Sequence, residues 1–232
     1  MLSTRFLTRL TALCGVVGTA ALTAYFVAPA FLGWPYAGAS PAKLTTYALD
    51  HQSLFYAGAW LQTTGTVLCV VFFLSLVWLA GAVNRLPGML VIVAATSLLS
   101  IVLIESALMV AVPMAASAGD PTTVATTFAL SNGVFLRVYP LAPSSVTYLA
   151  LGLMVLTSGV LRRFYGYAAL GVGAAFELAG VVSILSSAAL IVIAVLAAGQ
   201  VLWILAAAVG LWRTAGSARV QLPVGSVAAA RS

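Results

Sequence analysis

Residues 164–212 form an almost unbroken apolar stretch in which Glu177 is the only acidic or basic side chain. At about 1.5 Å per helical residue the stretch is too long to cross a hydrocarbon core of about 30 Å once. It must turn back on itself, and Ser186-Ser187 is the point that leaves two segments of adequate length. The same criterion of roughly 20 apolar residues per crossing finds four further runs, so six spans are expected at 10–32, 55–80, 89–112, 143–161, 166–185 and 190–212. A hydrophobic share of 63 % against 6 % charged residues excludes a soluble domain, where about 25 % are charged. The fold class is therefore an all-α, polytopic membrane helix bundle, with 1–214 as the six-helix domain and 215–232 as a mobile cytoplasmic tail.

Charge orients the bundle. With the amino terminus in the cytoplasm, Arg5, Arg9, Arg85, Arg162, Arg163, Arg213, Arg219 and Arg231 fall inside, and Lys43 and Arg137 outside. Short-loop Lys/Arg bias of this sort sets topology during insertion, so both termini are expected in the cytoplasm and the chain in a bacterial cytoplasmic membrane. A seventh span at 122–141 would move Arg162, Arg163, Arg213, Arg219 and Arg231 outside, and is rejected. Asn132-Gly133 is a turn signal, and Arg137 sits centrally in the short apolar piece after it, so 122–141 is expected to be interfacial or re-entrant. The other outer loop carries Ser40-Pro41 before 42–50, an N-cap followed by a proline in the first helical turn, which predicts a short surface helix. Trp34, Tyr36, Tyr47, Tyr56, Trp60, Tyr139 and Tyr148 are expected at the outer interface, and Trp78, Tyr165, Tyr167 and Trp212 at the inner one. A cleavable signal peptide is disfavoured, because the apolar run from Leu10 exceeds a typical h-region and Pro29 would sit at the cut.

Ionisable residues at membrane depth are the informative ones, since a charge at mid-bilayer costs about 2.5–3.5 kcal/mol on insertion scales. Glu105 lies in the outer half of the third span and Glu177 near the middle of the fifth. Counting from the helix ends places Gln62 level with Glu105, and Gln200 level with Glu177 across the Ser186-Ser187 turn, which predicts two Glu–Gln pairs. Small residues (Gly58, Gly65 and Thr66 beside Gln62; Ala169, Gly173 and Gly180 beside Glu177) should let helices approach closely and turn both acids inward. Such pairs either hold helices together or form a proton-accepting or cation-accepting cavity. The Gln-then-Glu and Glu-then-Gln order of the two hairpins also suggests an inverted repeat. His51, at the outer mouth of the second span, reads as a helix-start residue or a pH-responsive group. Arg137 either compensates an outer carboxylate such as Glu105 or snorkels to lipid phosphate.

Several chemistries lack their residues. One histidine leaves bis-histidine haem and histidine-rich zinc sites without support. Lys43, the only lysine, is in a loop, and so are Asp50 and Asp120, so neither a retinal Schiff base nor an intramembrane aspartyl dyad can form. Ser158 and His51 sit at opposite faces. Cys14 and Cys69 are expected at different depths as packing residues, with no CxxC. Catalysis, cofactors, metals and nucleic acid are not expected, the last because no basic stripe is present.

The segment Leu149–Gly180, LALGLMVLTSGVLRRFYGYAALGVGAAFELAG, resembles the helix, basic turn and glycine-spaced helix of an uncharacterised family of bacterial six-helix integral membrane proteins. IVLIESAL around Glu105 is similar to the third span of that family. The resemblance covers about a third of the chain and departs where Phe164-Tyr165-Gly166 stands in place of a proline after the basic turn. It implies the bundle and no activity. The function expected from the residues is a small transporter or binding protein for a small or apolar molecule, with Glu105 and Gln62 lining an outward cavity. The alternative is a non-catalytic subunit or assembly factor that docks through its small-residue faces onto another membrane protein or a second copy. The expected partners are lipid and such a protein.

Overall fold

A computed structural model describes residues 4–35, 38–186 and 189–216. Tyr36, Ser187 and most of the expected tail, 217–232 with Arg219 and Arg231, lie outside the described residues. The chain forms α1 (Thr4–Phe31), α2 (Pro41–Asp50), α3 (Gln52–Leu79), α4 (Leu86–Ser117), α5 (Pro121–Gly133), two π-helical turns (Val134–Val138 and Pro140–Ser144), α6 (Ser145–Ser158), α7 (Arg163–Leu185) and α8 (Ala189–Gly216). No strand occurs among the described residues. Six helices are long and apolar enough to cross a membrane, and the protein is an all-α polytopic membrane bundle.

The spans close a ring in chain order, α1 on α3, α3 on α4, α4 on α6, α6 on α7, α7 on α8, and α8 back on α1. An even number of crossings puts the start of α1 and the end of α8 on one face, called here the terminal face, where the Arg9 guanidinium lies 5.7 Å from the Trp212 ring centre. Glycine sets the closest approaches. A Cβ on Gly18 would stand 2.9 Å from the Gly65 carbonyl oxygen, and one on Gly173 would stand 2.8 Å from the Leu149 backbone nitrogen. Gly159, at φ +70°, ends α6 in the left-handed region that lets the chain reverse before Arg162-Arg163.

The helices overrun the expected limits at several ends. α1 begins at Thr4 rather than residue 10, and α4 is 32 residues, about 48 Å at 1.5 Å each. Polar residues continue a helix through the interface, where hydropathy no longer marks it. The extra length of α4 on the face opposite the chain ends (the distal face) carries a cap made with α2 and α5. Its core joins Leu44, Ala48, Phe55, Met109, Val124 and Phe128. Trp34 packs its ring 5.2 Å from Phe55 and 5.7 Å from Phe128. Ser40 caps α2 through the Lys43 amide at 3.4 Å, with Pro41 in the first turn, as expected.

Four local expectations are corrected. Asn132-Gly133 makes no turn: Asn132 Nδ2 donates to the Phe128 carbonyl at 2.8 Å, Gly133 keeps helical angles, and the break comes at Leu141, between Pro140 and Pro143. From there the chain runs directly into the fourth span, while α5 packs on α4 and α2. Tyr139 and Tyr148 are buried within the bundle, not in an interfacial belt. Cys14 and Cys69 are level, because the register that sets Gly18 against Gly65 sets residue 14 against residue 69; both thiols are free. Ala215 and Gly216 belong to α8.

Candidate functional site

The ring of helices encloses a cavity of about 20 Å³, about the space one water needs. Its walls are mostly apolar: Leu22 and Phe26 from α1, Phe73 from α3, Leu98 and Val102 from α4, Ile204 from α8, and Phe135 from the π-helical connection. Five polar side chains break this lining: Gln62, Thr66, Glu105, Tyr139 and Gln200. Each is about 5 % exposed or less, so each has left both water and lipid for the protein interior.

Glu105 lies on α4 about three turns from its distal end, and Gln62 lies on α3 at the matching level. Gln62 Nε2 donates to Glu105 Oε2 at 2.8 Å, which is the expected pair. The bond belongs to a wider network. Ser106 Oγ donates to Gln62 Oε1 at 3.1 Å, Thr63 Oγ1 donates to Ser106 Oγ at 3.0 Å, and the Tyr25 hydroxyl of α1 reaches Glu105 Oε1 at 3.4 Å. Three helices thus meet on one carboxylate through neutral donors. Arg137 is exposed on the outside of the π-helical connection and supplies no charge to Glu105, which leaves the lipid-facing placement of the two expected.

The second expected pair does not form. Gln200 faces the cavity and accepts from the Tyr139 hydroxyl at 2.8 Å. Glu177 lies on the outer surface of the bundle, where Ser145 Oγ donates to its Oε2 at 2.6 Å. The same Ser145 hydroxyl approaches the Leu141 carbonyl, which also accepts the Ser145 backbone N–H. Depth alone predicts the pairing of Glu177 with Gln200, but depth does not fix rotation about the helix axis. Gly173 and Gly180 seat α7 against Leu149 and Leu141, and that contact turns Glu177 to the edge of the α6/α7 seam. With this pair lost, the mirrored hairpins that suggested an inverted repeat are no longer equivalent.

His51 joins α2 to α3. Its ring stacks on Tyr47 with centroids 4.3 Å apart, and its Nδ1 is 3.1 Å from the Tyr47 carbonyl. It is a helix-junction residue in the cap, separated from the cavity by the aromatic cluster. Tyr47 donates its hydroxyl to the Leu32 carbonyl at 3.1 Å, and partial burial raises its pKa above the ordinary tyrosine value.

Three site residues escape a reading of the sequence: Tyr25, Thr66 as a cavity residue, and Tyr139. A tyrosine within the first apolar run and a threonine one turn past Gln62 are the available signals. Tyr139 cannot be placed because the Pro140–Pro143 break, which swings it inward, has no periodicity to read. Among the described residues no three metal-ligating acid, cysteine or histidine side chains cluster. Compared with protein-family models, curated proteins and solved structures, the chain matches none of them.

Proposed function

We propose that this chain is a multi-pass protein of the cell membrane, with both chain ends in the cytoplasm, that binds or carries a small solute at Glu105. The reading includes kinship with the bacterial six-helix membrane proteins that Leu149–Gly180 resembles. The observation that carries it is a carboxylate at membrane depth, on the wall of a cavity, held only by neutral partners. An acid there is costly unless it serves a purpose, and glue alone requires no cavity. Phe135 and Tyr139 line the cavity from the discontinuous π-helical connection beside α4, and irregular backbone at membrane depth is tolerated where protein covers it or it lines a cavity. The size of the cavity favours a proton, a small cation or a water-sized solute. A bulkier apolar solute would need Phe26 and Phe135, whose rings stand 6.1 Å apart, to separate.

The alternative, a docking subunit, would have to use other faces, since Gly65, Gly173 and Gly180 each stand close to residues of the same chain. The test is flux in reconstituted vesicles holding a trapped pH or sodium indicator under an imposed gradient. Wild-type protein should dissipate one of the gradients and Glu105→Gln should not. Equal dissipation by the two proteins refutes the proposal.

A further inference from the structure

Among the described residues two fully buried hydroxyls, those of Ser144 and Tyr148, make no hydrogen bond. A hydroxyl withdrawn from water and left unbonded is costly, so two of them one helical turn apart need an explanation. Their neighbours are satisfied: Ser145 donates to Glu177, and Thr147 to the Pro143 carbonyl. Both orphans lie just behind the wall of the Glu105 cavity. The Ser144 hydroxyl stands next to that of Tyr139 without hydrogen-bond geometry, and Tyr139 lines the cavity. The Tyr148 ring meets Phe73, another lining residue, edge-on with centroids 6.0 Å apart. Phe73 is about three turns past Gln62 on α3, toward the terminal face, so Tyr148 carries polar atoms away from the level of Glu105. The Tyr148 ring also meets Trp203 at 5.4 Å. Trp203 Nε1 in turn donates to the carbonyl of Tyr165 at 2.9 Å, and Tyr165 lines a cleft at the terminal face.

We infer that the Ser144 and Tyr148 hydroxyls relay a proton between the cavity and the terminal face, with Tyr139 passing it on from the cavity. The inference rests on the reading of Glu105 as the binding group and makes its solute a proton. Each hydroxyl accepts a proton on its oxygen from one side and releases its own to the other, so none is gained or lost along the line. Tyr139 takes part by turning its hydroxyl from Gln200 Oε1, its acceptor at 2.8 Å, to Ser144 Oγ. Water between Ser144 and Tyr148 satisfies both, as buried water does for polar groups that the protein leaves unpaired. A metal cation needs several oxygen ligands at once. Phe73, Phe176 and Trp203 around the Tyr148 ring offer none, whereas a proton passes along single hydroxyls.

The experiment reconstitutes the full chain in vesicles with a trapped pH indicator under a proton gradient, or a sodium indicator under a sodium gradient. Wild-type protein should pass protons. Tyr148→Phe should slow them by about a hundredfold with helicity and unfolding temperature retained, because the variant loses only an oxygen that has no protein partner. Ser144→Ala should slow them as well, and it decides the matter if Tyr148→Phe fails to fold. Ser183→Ala, which removes a buried hydroxyl bonded within α7, should not. The infrared carboxyl band of Glu105, assigned by its disappearance in Glu105→Gln, should still answer a pH change in Tyr148→Phe, since the acid is intact and only one route to it is cut. Proton flux lost in Glu105→Gln but undiminished in Tyr148→Phe and Ser144→Ala overturns the relay and leaves Glu105 as the binding group. Flux of sodium alone does the same. Flux of neither ion, or proton flux indifferent to Glu105→Gln, overturns both readings. An equal loss in Ser183→Ala, or a Glu105 band that no longer responds in Tyr148→Phe, assigns the effect to packing and overturns the relay.

Discussion

Gln62 and Glu105 face each other across the α3/α4 contact, with the amide nitrogen 2.8 Å from the carboxylate oxygen and both side chains withdrawn from water and lipid. The two are coupled, so their substitutions should not be additive. Gln62→Leu removes a donor that Glu105 keeps needing and should lower stability by about 1–3 kcal/mol. In a double-mutant cycle with Glu105→Gln, unfolding in mixed micelles should give a coupling of about 0.6–1.7 kcal/mol. A coupling of zero would mean the pair is not formed in the lipid-bound protein.

Two glycines on α7 should respond in opposite directions. At Gly173 a methyl group would meet the Leu149 nitrogen at 2.8 Å and the Ser145 carbonyl at 2.9 Å, while at Gly171 nothing stands within 4 Å. Gly173→Ala must push α6 from α7 and should cost about 1–3 kcal/mol. Gly171→Ala should be neutral or stabilise by up to about 1 kcal/mol through helix propensity. Paired thermal unfolding curves decide it, and a larger loss at Gly171 would contradict the packing described.

The outer surface of α7 carries an acid that lipid must tolerate. Glu177→Leu should make insertion of this helix more favourable by about 2–3 kcal/mol in a glycosylation-mapping assay. It should also leave the fold intact, because Ser145 retains the Leu141 carbonyl. Loss of folding would show that Glu177 does more than close the α6/α7 seam.

Asp120 begins α5 by accepting from the Thr122 and Thr123 amides at 3.1 and 3.0 Å and from the Thr123 hydroxyl at 2.5 Å. The Thr123 hydroxyl bond is the largest cause of its lowered pKa, followed by the Thr123 amide. A lowered folded-state pKa means that the stabilisation is complete above the ordinary aspartate value and is lost as pH falls through the lowered one. Hydrogen exchange at Thr122 and Thr123 should therefore be slow at neutral pH, once corrected for intrinsic rates, and gain protection no further on raising pH. Asp120→Ala should speed it at neutral pH and abolish the acid-dependent step. An unchanged step in that variant would assign the pH response to another group.

The span count and the Glu105–Gln62 pair are legible in the sequence because both depend on position along the membrane normal, which run length measures directly. Helix ends are less legible. Thr4, Arg5, Thr8 and Arg9 extend α1 without any apolar signal, and that hidden length misplaces Cys14 relative to Cys69. Rotation about a helix axis is not legible at Glu177, since the seating of Gly173 and Gly180 on α6 decides it. Nor is the proline break, which brings Tyr139 to Gln200 by a departure from the very repeat that marks a helix in sequence.

The contact of α1 with α8 has a consequence for biogenesis. These helices are neighbours in space but are separated by nearly the whole length of the chain, so the wall they share cannot exist while translation is under way. Until α8 leaves the ribosome, the flank of α1 carrying Gly15, against which Ala208 later rests, faces lipid or an insertion chaperone. A nascent chain halted before α8 should thus be recognisable as unfinished, with an open seam as the mark that quality control can read.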